Sequence, residues 1–175
     1  MKGFKELYKS DLMRYDSIDC YAKKYLYYYR RVSTVSGKIA ALYYRFRFRL
    51  LSEKHGMEIP RTVVFGKGLY IGHPYNITVN GDVKFGNNIN IHKGVTIGQE
   101  NRGSRTGVPS IGNRVWFGIN STVVGKVVIG DDVLIAPNSY VNCDVPSHSV
   151  VLGNPCKIIP KENATEGYIN NSVQS

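Results

Sequence analysis

The sequence has few cysteines and no long apolar run, and these two absences exclude whole classes of protein. Its three cysteines, Cys20, Cys143 and Cys156, show no CxxC spacing, which indicates neither a disulfide framework nor a zinc cluster. We expect them to be reduced and structural. No stretch reaches the roughly 18 apolar residues of a membrane span. The start, MKGFKELYKSD, has no apolar signal-peptide core, so we expect a cytoplasmic location.

Acidic residues are also scarce, and the imbalance is concentrated at one end. The 175 residues contain 23 Lys and Arg against 13 Asp and Glu, a net charge of +10. Residues 1–58 hold 13 basic and 6 acidic residues, so they carry +7 of that charge. No recognition motif accompanies the charge, and we expect no nucleic-acid partner.

Proline is absent between residues 11 and 54, where Tyr, Lys and Arg are abundant. This composition predicts helix. Ser17 and Ser36 are candidate start signals, Gly37 is a candidate break, and His55-Gly56 is a candidate C-terminal stop.

Aromatic and basic residues alternate along residues 41–50, ALYYRFRFRL. The alternation is typical of a strand, but the proline-free surroundings favour helix. Two interpretations of this composition stay open. The rings pack on a neighbour while the Arg stems cover the rim, or the segment docks peripherally on a membrane surface or another anionic partner.

After residue 58 an apolar residue recurs with a step of six, broken at two places. A period of six fits neither an amphipathic helix nor a hairpin meander. Short strands joined by tight turns fit it, with the branched or aromatic side chain pointing inward. The thirteen positions are Ile59, Phe65, Ile71, Val79, Phe85, Ile91, Ile97, Ile111, Phe117, Val123, Ile129, Ile135 and Val141.

A glycine follows many of these positions, as in Ile97-Gly98, Ile111-Gly112 and Ile129-Gly130. The pattern resembles the left-handed parallel β-helix of the hexapeptide acyltransferases, in which three hexapeptides form one coil. Thirteen repeats imply a little over four coils. We therefore predict a mainly β protein with an N-terminal helical segment at 1–57, a left-handed β-helix at 58–160 and a C-terminal tail at 161–175.

The two interruptions of the repeat are the expected places for chemistry, because insertions in a solenoid leave as surface loops. The first, between Ile71 and Val79, contains GHPYN at residues 72–76. The second, between Ile97 and Ile111, contains QENRGSRTGVP at residues 99–109, which we predict to be flexible.

Several segments resemble the serine acetyltransferases and, more closely, their relatives among the saccharide O-acetyltransferases of bacterial capsule and surface-polysaccharide synthesis. In serine acetyltransferases a histidine is the general base, and an aspartate fifteen residues earlier orients it. His73 and Glu58 occupy those two places. The segments are EIP at 58–60, GLYIGH at 68–73, VTIG at 95–98, VWFG at 115–118 and VLGNP at 151–155.

General-base chemistry suits a histidine at position 73. A hydroxyl is a poor nucleophile at neutral pH, and an imidazole with a pKa near ~6.5 can accept its proton as it attacks a thioester. A carboxylate on the far ring nitrogen fixes the tautomer, so we predict a Glu58–His73 contact between adjacent coils. The competing interpretation is a surface histidine beside a proline turn.

His92 follows Ile91, one coil beyond Ile71. Three interpretations of it stay open: the base itself, an acceptor-binding residue, or a ring that fills a corner normally held by a small residue. We interpret His55 and His148 as structural or solvent-facing.

Two departures from the serine acetyltransferase pattern bear on the acceptor. The aspartate that precedes the catalytic histidine is Gly72 here, and the Arg-His-Pro that ends the long loop is Gly107-Val108-Pro109. The missing groups would bind the charges of an amino acid, so we expect a saccharide acceptor, with serine as the alternative. The candidate acceptor-binding residues are Tyr75, Asn76, Asn101, Arg102 and Arg105.

The same resemblance implies acetyl-CoA as donor, a homotrimer with active sites between subunits, and no metal. Backbone near Gly98, Gly118 and Ala136 would line the pantetheine groove, with Trp116 in its wall. Lys126, Lys157 and Lys161 are candidates for the nucleotide phosphates. A non-catalytic scaffold is the alternative from another class. A carbonic-anhydrase-like metalloprotein is opposed, because only His73 and His92 lie among the repeats.

Overall fold

The computed structural model describes residues 3–15 and 20–174, and within these ranges the N-terminal segment is helical. Its helices are α1 (Phe4–Leu12), α2 (Cys20–Thr34) and α3 (Lys38–His55). The predicted break and stop are confirmed: Gly37 precedes α3, and Gly56 ends it in the left-handed conformation with φ 62°. The proline-free run that indicated helix began at residue 11, so α1 lies within the predicted helical segment 1–57 but mostly before that run. The candidate start at Ser17 lies outside the described residues.

None of the helices in the described ranges has the length and apolar character needed to cross a membrane.

The rest of the chain forms short strands that stack on three faces, in parallel except for the last strand. The first face has the strand order β1-β4-β7-β10-β12-β13, the second β11-β8-β5-β2, and the third β3-β6-β9. One strand of each face in turn makes a coil. The strands are β1 (Tyr70–Gly72), β2 (Thr78–Val79), β3 (Lys84–Phe85), β4 (Asn90–His92), β5 (Thr96–Gly98), β6 (Ser110–Ile111), β7 (Val115–Phe117), β8 (Thr122–Val124), β9 (Val128–Ile129), β10 (Val133–Ile135), β11 (Tyr140–Val141), β12 (Ser149–Leu152) and β13 (Lys157–Pro160).

The apolar positions of the repeat form the core of this solenoid. Twelve of the thirteen are buried, and Phe85 is half-buried where its ring stacks 4.2 Å from that of Phe65. The strands complete three coils, Val145 extends the fourth by pairing with Ile129, and β12 begins a fifth. The parallel solenoid and its coil number are thus as predicted, whereas its left-handed sense stays a prediction.

The N-terminal helices cover the open edge of the first coil. Strand edges with unpaired N–H groups invite aggregation, so a solenoid needs such a cap. Three backbone N–H groups of the first coil donate to α1 and the residues after it: Gly68 to Ser10 Oγ at 3.1 Å, Leu69 to Asp11 Oδ1 at 2.9 Å, and Ile71 to the Tyr15 hydroxyl at 2.8 Å.

A buried ion pair holds this cap together. Arg30 of α2 donates two hydrogen bonds to Asp11, at 2.8 and 2.9 Å, and a third to the carbonyl of Phe65 at 2.9 Å. The helices are therefore fixed to the solenoid by charge-assisted hydrogen bonds as well as by apolar packing.

At the other end of the chain, the tail packs on the solenoid. Strand β13 pairs antiparallel with β12, and Ala164 and Thr165 beyond it are buried. Asp132 binds this segment by accepting hydrogen bonds from the Thr165 hydroxyl at 2.6 Å and the Ala164 amide at 2.9 Å.

Two of the three cysteines lie close together, which their spacing in the sequence gave no reason to expect. The Sγ atoms of Cys143 and Cys156 are 3.8 Å apart, and both thiols are free. Burial is the main cause that raises the pKa of the Cys156 thiol.

Candidate active site

The chain turns from the first face to the second at a corner that carries two of the four histidines. We call it the histidine corner and define it by Gly72, His73, His92 and Trp116. Gly72 at the end of β1 is in register with His92 at the end of β4. His73 follows Gly72, is exposed, and has a left-handed backbone with φ 57°. The tight turn thus presents its imidazole to the outside of the solenoid.

The His92 ring occupies the space beside Gly72. A Cβ atom added at Gly72 would lie 2.5 Å from His92 Nδ1 and 2.6 Å from Cε1. On its other side the ring packs on Trp116, with 4.9 Å between centroids. A larger residue at position 72 and histidine at position 92 are therefore incompatible without a shift of one of them.

The same packing makes His92 a weak base. Burial, and secondarily the charge of His73, lowers the pKa of His92 to about 4. Its Nε2 atom is buried and has no hydrogen-bond partner among the described residues. An imidazole that stays neutral down to this pH accepts protons poorly at neutral pH. The low pKa that burial causes therefore opposes His92 as the general base.

Glu58 does not contact His73, in contrast to the prediction. Glu58 pairs with Thr78 at the edge of the second face, and its carboxylate accepts a hydrogen bond from the Thr78 hydroxyl at 3.4 Å. It lines a cleft of about 660 Å³ between α3 and the second face, which also contains Phe48 and Gly98. Within the described part of the chain, the His73 imidazole has no carboxylate partner.

The length of the first coil explains this correction. Pairing of Ile71 with Ile91 and of Glu58 with Thr78 shows that this coil has twenty residues. A position fifteen residues before His73 is then five residues short of a full coil, which places it on the second face instead of beneath the histidine corner.

Two of the five predicted acceptor-binding residues lie beside His73. The Tyr75 ring packs against His55, with 4.8 Å between centroids. The Asn76 amide donates to the His55 carbonyl at 2.9 Å. His55 itself is buried, as a structural residue would be.

The other three acceptor candidates lie in the long loop, which leaves the solenoid between the second and third faces. They are Asn101, Arg102 and Arg105. The loop was predicted to be flexible, but it is pinned: Glu100 pairs with Gly107, and Arg105 lies 3.5 Å from Asp144. In a single chain the loop therefore does not join Tyr75 and Asn76 in one site.

The residues predicted to bind acetyl-CoA also lie on two different faces of the solenoid. Trp116 belongs to the histidine corner, and Gly118 and Ala136 directly follow β7 and β10 of the first face. Gly98 lies at the end of β5 on the second face, where its carbonyl accepts from the Gly125 amide at 3.3 Å.

The three candidate phosphate-binding lysines are exposed at three different corners. Lys126 lies just after the second face. Lys157 pairs with Leu152, where the chain leaves the first face. The Lys161 amide donates a hydrogen bond to the His148 carbonyl, where the chain enters the first face. The three lysines therefore do not form one cluster in a single chain, and each stays a separate candidate.

Two features of the site were missed in the sequence. The structure agrees with one of the three interpretations of His92, that its ring fills a corner normally held by a small residue. What was missed is that this ring takes the space of a side chain at position 72, which the common place of both residues after an inward isoleucine would have revealed. Tyr168 of the tail packs on Trp116 with 5.1 Å between centroids. No pattern in the sequence indicated that contact.

Comparison with known proteins finds similarity to hexapeptide transferases. Residues 109–143 match the family described as "Bacterial transferase hexapeptide (six repeats)". Serine acetyltransferase of Helicobacter pylori is 34% identical over 107 residues, which are 61% of this chain and 63% of that protein. Serine acetyltransferase 2 of Arabidopsis thaliana is 35% identical over 109 residues, which are 62% of this chain and 34% of that protein. The chain thus matches less than two thirds of the length of either relative.

A solved structure extends the likeness to the fold. The crystal structure of Neisseria gonorrhoeae serine acetyltransferase in complex with serine superimposes with a TM-score of 0.70 and 26% identity. The match covers 89% of this chain and 69% of that one.

Proposed function

We propose that this chain, which is similar to the hexapeptide transferases and to serine acetyltransferases, transfers an acetyl group from acetyl-CoA to a hydroxyl oxygen. The observation that carries the proposal is the placement of His73. An exposed imidazole stands on a tight turn, at the position that the sequence resemblance assigns to the general base, in a chain 34% identical over 107 residues to a serine acetyltransferase.

In the proposed reaction the acceptor oxygen attacks the thioester carbonyl carbon while His73 takes the hydroxyl proton. The C–S bond then breaks, an oxygen ester forms, and the imidazolium returns the proton to the departing CoA sulfur. His73 is regenerated, and the two substrates supply every atom of the two products. A positioned base of this kind contributes roughly 10² to 10⁴ to the rate.

Serine is the first candidate acceptor. The sequence analysis preferred a saccharide, but the similar proteins described above are serine acetyltransferases, and they favour serine instead. The polysaccharide pathway has no support from these relatives.

A saccharide hydroxyl is the second candidate, and one feature of this chain favours it. The His92 ring fills the space beside Gly72, so the corner lacks the carboxylate that the family pattern places before the general base. An ammonium group desolvated there would have no counter-charge, which costs several kcal/mol in typical cases. A neutral sugar hydroxyl needs none.

We also propose that the working enzyme is a homotrimer whose sites form between subunits. In one chain the long loop and the histidine corner stand at successive corners, and Glu58 has no contact with His73. A neighbouring copy could bring a second loop to each histidine corner, so association would complete the site.

Thiol release from acetyl-CoA tests the function and separates the acceptors. The purified chain is assayed with a thiol-reactive dye and L-serine, and in parallel with a panel of neutral and acidic saccharides. Acceptor-dependent thiol release with formation of an O-acetyl ester supports the proposal. Its absence with every hydroxyl acceptor, under conditions where the protein is folded, contradicts it.

A further inference from the structure

Helix α3 exposes a continuous apolar surface, which we call the outer face of α3. It consists of Ile39, Leu42, Tyr43, Phe46 and Leu50, with exposed fractions of 88, 71, 52, 59 and 46%. Their spacing of three and four residues places them on one side of the helix. Isolated exposed apolar residues are ordinary, whereas a contiguous patch of this kind marks a binding surface.

The opposite side of α3 is already occupied. Phe48 is buried against α2, where its ring lies 5.4 Å from Tyr25 and 5.9 Å from Tyr29. Apolar residues therefore cover both sides of the helix, and packing among the described residues accounts for only one of them.

Basic side chains border the outer face on both sides. At about 100° per residue, Lys38, Arg45 and Arg49 fall along one border, and Arg47 and Lys54 fall along the other. The helix contains these five basic residues and one acidic residue, Glu53. An apolar stripe between two rows of basic residues is typical of a helix lying in the interface of a lipid bilayer.

We infer that the outer face of α3 docks on a bilayer surface that contains anionic lipids. The apolar side chains enter the boundary between headgroups and acyl chains, and the Lys and Arg side chains reach the lipid phosphates from both borders. The charge of the chain agrees with this occupant, since residues 1–58 carry +7 of the net +10.

The same charge opposes a twofold contact with a second copy of this chain at the outer face of α3. A twofold contact through the outer face would bring five basic residues of one helix towards five of the other, with one acidic residue on each side. Like charges around a desolvated apolar contact disfavour association.

Docking through α3 would also orient the histidine corner. The helix ends at His55, whose carbonyl accepts from the Asn76 amide at 2.9 Å and whose ring packs on Tyr75. A short path of direct contacts therefore links α3 to the residues that follow His73.

Vesicle co-sedimentation of the full chain tests the inference. Wild type should sediment with vesicles of phosphatidylcholine mixed with phosphatidylglycerol, bind pure phosphatidylcholine much less, and dissociate as salt is raised. The Leu42→Ser/Phe46→Ser variant should bind the mixed vesicles at least about tenfold more weakly. Lys38→Gln/Arg45→Gln should lose the preference for the anionic lipid.

Val64→Ser/Val128→Ser is the matched control. It also removes two exposed apolar side chains, 74 and 60% exposed, but from the third face of the solenoid. This control should bind as wild type does, and melting curves verify that each variant is folded. Equal binding of wild type to neutral and anionic vesicles overturns the inference, as does equal binding by wild type and Leu42→Ser/Phe46→Ser. A change of oligomeric state in Leu42→Ser/Phe46→Ser, with no vesicle binding by wild type, would assign the face to a second copy instead.

Discussion

The imidazole of His92 lies in the space that a side chain at position 72 would need. The 2.5 Å separation between a Cβ atom at Gly72 and His92 Nδ1 is too short for real atoms, so each residue dictates the other. The pair also decides which charges the histidine corner can offer an acceptor. Replacing both residues therefore tests packing and specificity together.

We predict that Gly72→Asp alone destabilises the protein by about 1–3 kcal/mol through overpacking. In the His92→Ala background the same change should cost less, because the ring that it meets is gone, although Tyr70 Cε1 at 3.2 Å must still give slightly. Urea unfolding of the four proteins gives the coupling, expected at roughly 0.5–3 kcal/mol. Strict additivity would show that the ring is not the obstacle.

The same double variant should shift acceptor preference towards serine. Gly72→Asp/His92→Ala places a carboxylate beside His73, where an ammonium group could pair with it. The ratio of kcat/KM for L-serine to that for the best saccharide should rise above the wild-type ratio. An unchanged or lower ratio contradicts the role proposed for this niche.

We predict that the attachment of the tail to Asp132 is sensitive to acid. Burial alone would raise its pKa, but hydrogen bonds from Thr165, His148 and Ala164 lower the pKa to about 2, from 3.8. A carboxyl group whose pKa is lowered by folding stabilises the fold above pH ~4, by on the order of 2 kcal/mol. That stabilisation is lost as the pH falls towards ~2. Unfolding free energy measured across this range should fall less steeply in Asp132→Asn. Asp82→Asn, at an exposed position, should keep the wild-type slope.

The buried Asp11–Arg30 pair should dominate the stability of the N-terminal cap. Asp11→Asn leaves the Arg30 guanidinium, which is 4% exposed, without its carboxylate. We expect a loss of roughly 3–5 kcal/mol in urea unfolding. The exposed Arg49–Glu53 pair is the matched control, and Glu53→Gln should cost at most ~0.5 kcal/mol. Similar costs for both variants would contradict the role assigned to burial.

The proposed assembly has a direct test in light scattering. Three copies of the 19.6 kDa chain give about 59 kDa. A stable monomer with full activity would contradict a site shared between subunits.

The sequence was most informative where a repeat dictated packing. A step of six fixes which side chains point inward, so twelve of the thirteen predicted core positions are buried. Phe85 is the exception, since it stacks on Phe65 and stays half-buried. The helix boundaries at Gly37 and Gly56 were equally readable, because glycine at these places reflects a local backbone requirement.

Contacts between distant segments could not be predicted in this way. Glu58 was placed beneath His73 on the assumption of eighteen residues per coil, but the inserted turn lengthens that coil to twenty. The tail carries no periodic signal. Its attachment depends on the buried Asp132 carboxylate, which accepts hydrogen bonds from the Thr165 hydroxyl and the Ala164 amide. Such contacts follow from three-dimensional packing and not from local pattern.

The most direct test of the central claim is acetyl transfer by His73→Ala. With the best acceptor and saturating acetyl-CoA, formation of the O-acetyl ester should fall by roughly 10² to 10⁴, while acetyl-CoA binding stays near wild type. His148→Ala, which removes another exposed histidine far from this corner, should retain wild-type turnover. Wild-type ester formation by His73→Ala would contradict the account, and a loss confined to His92→Ala would transfer the role of base to that residue.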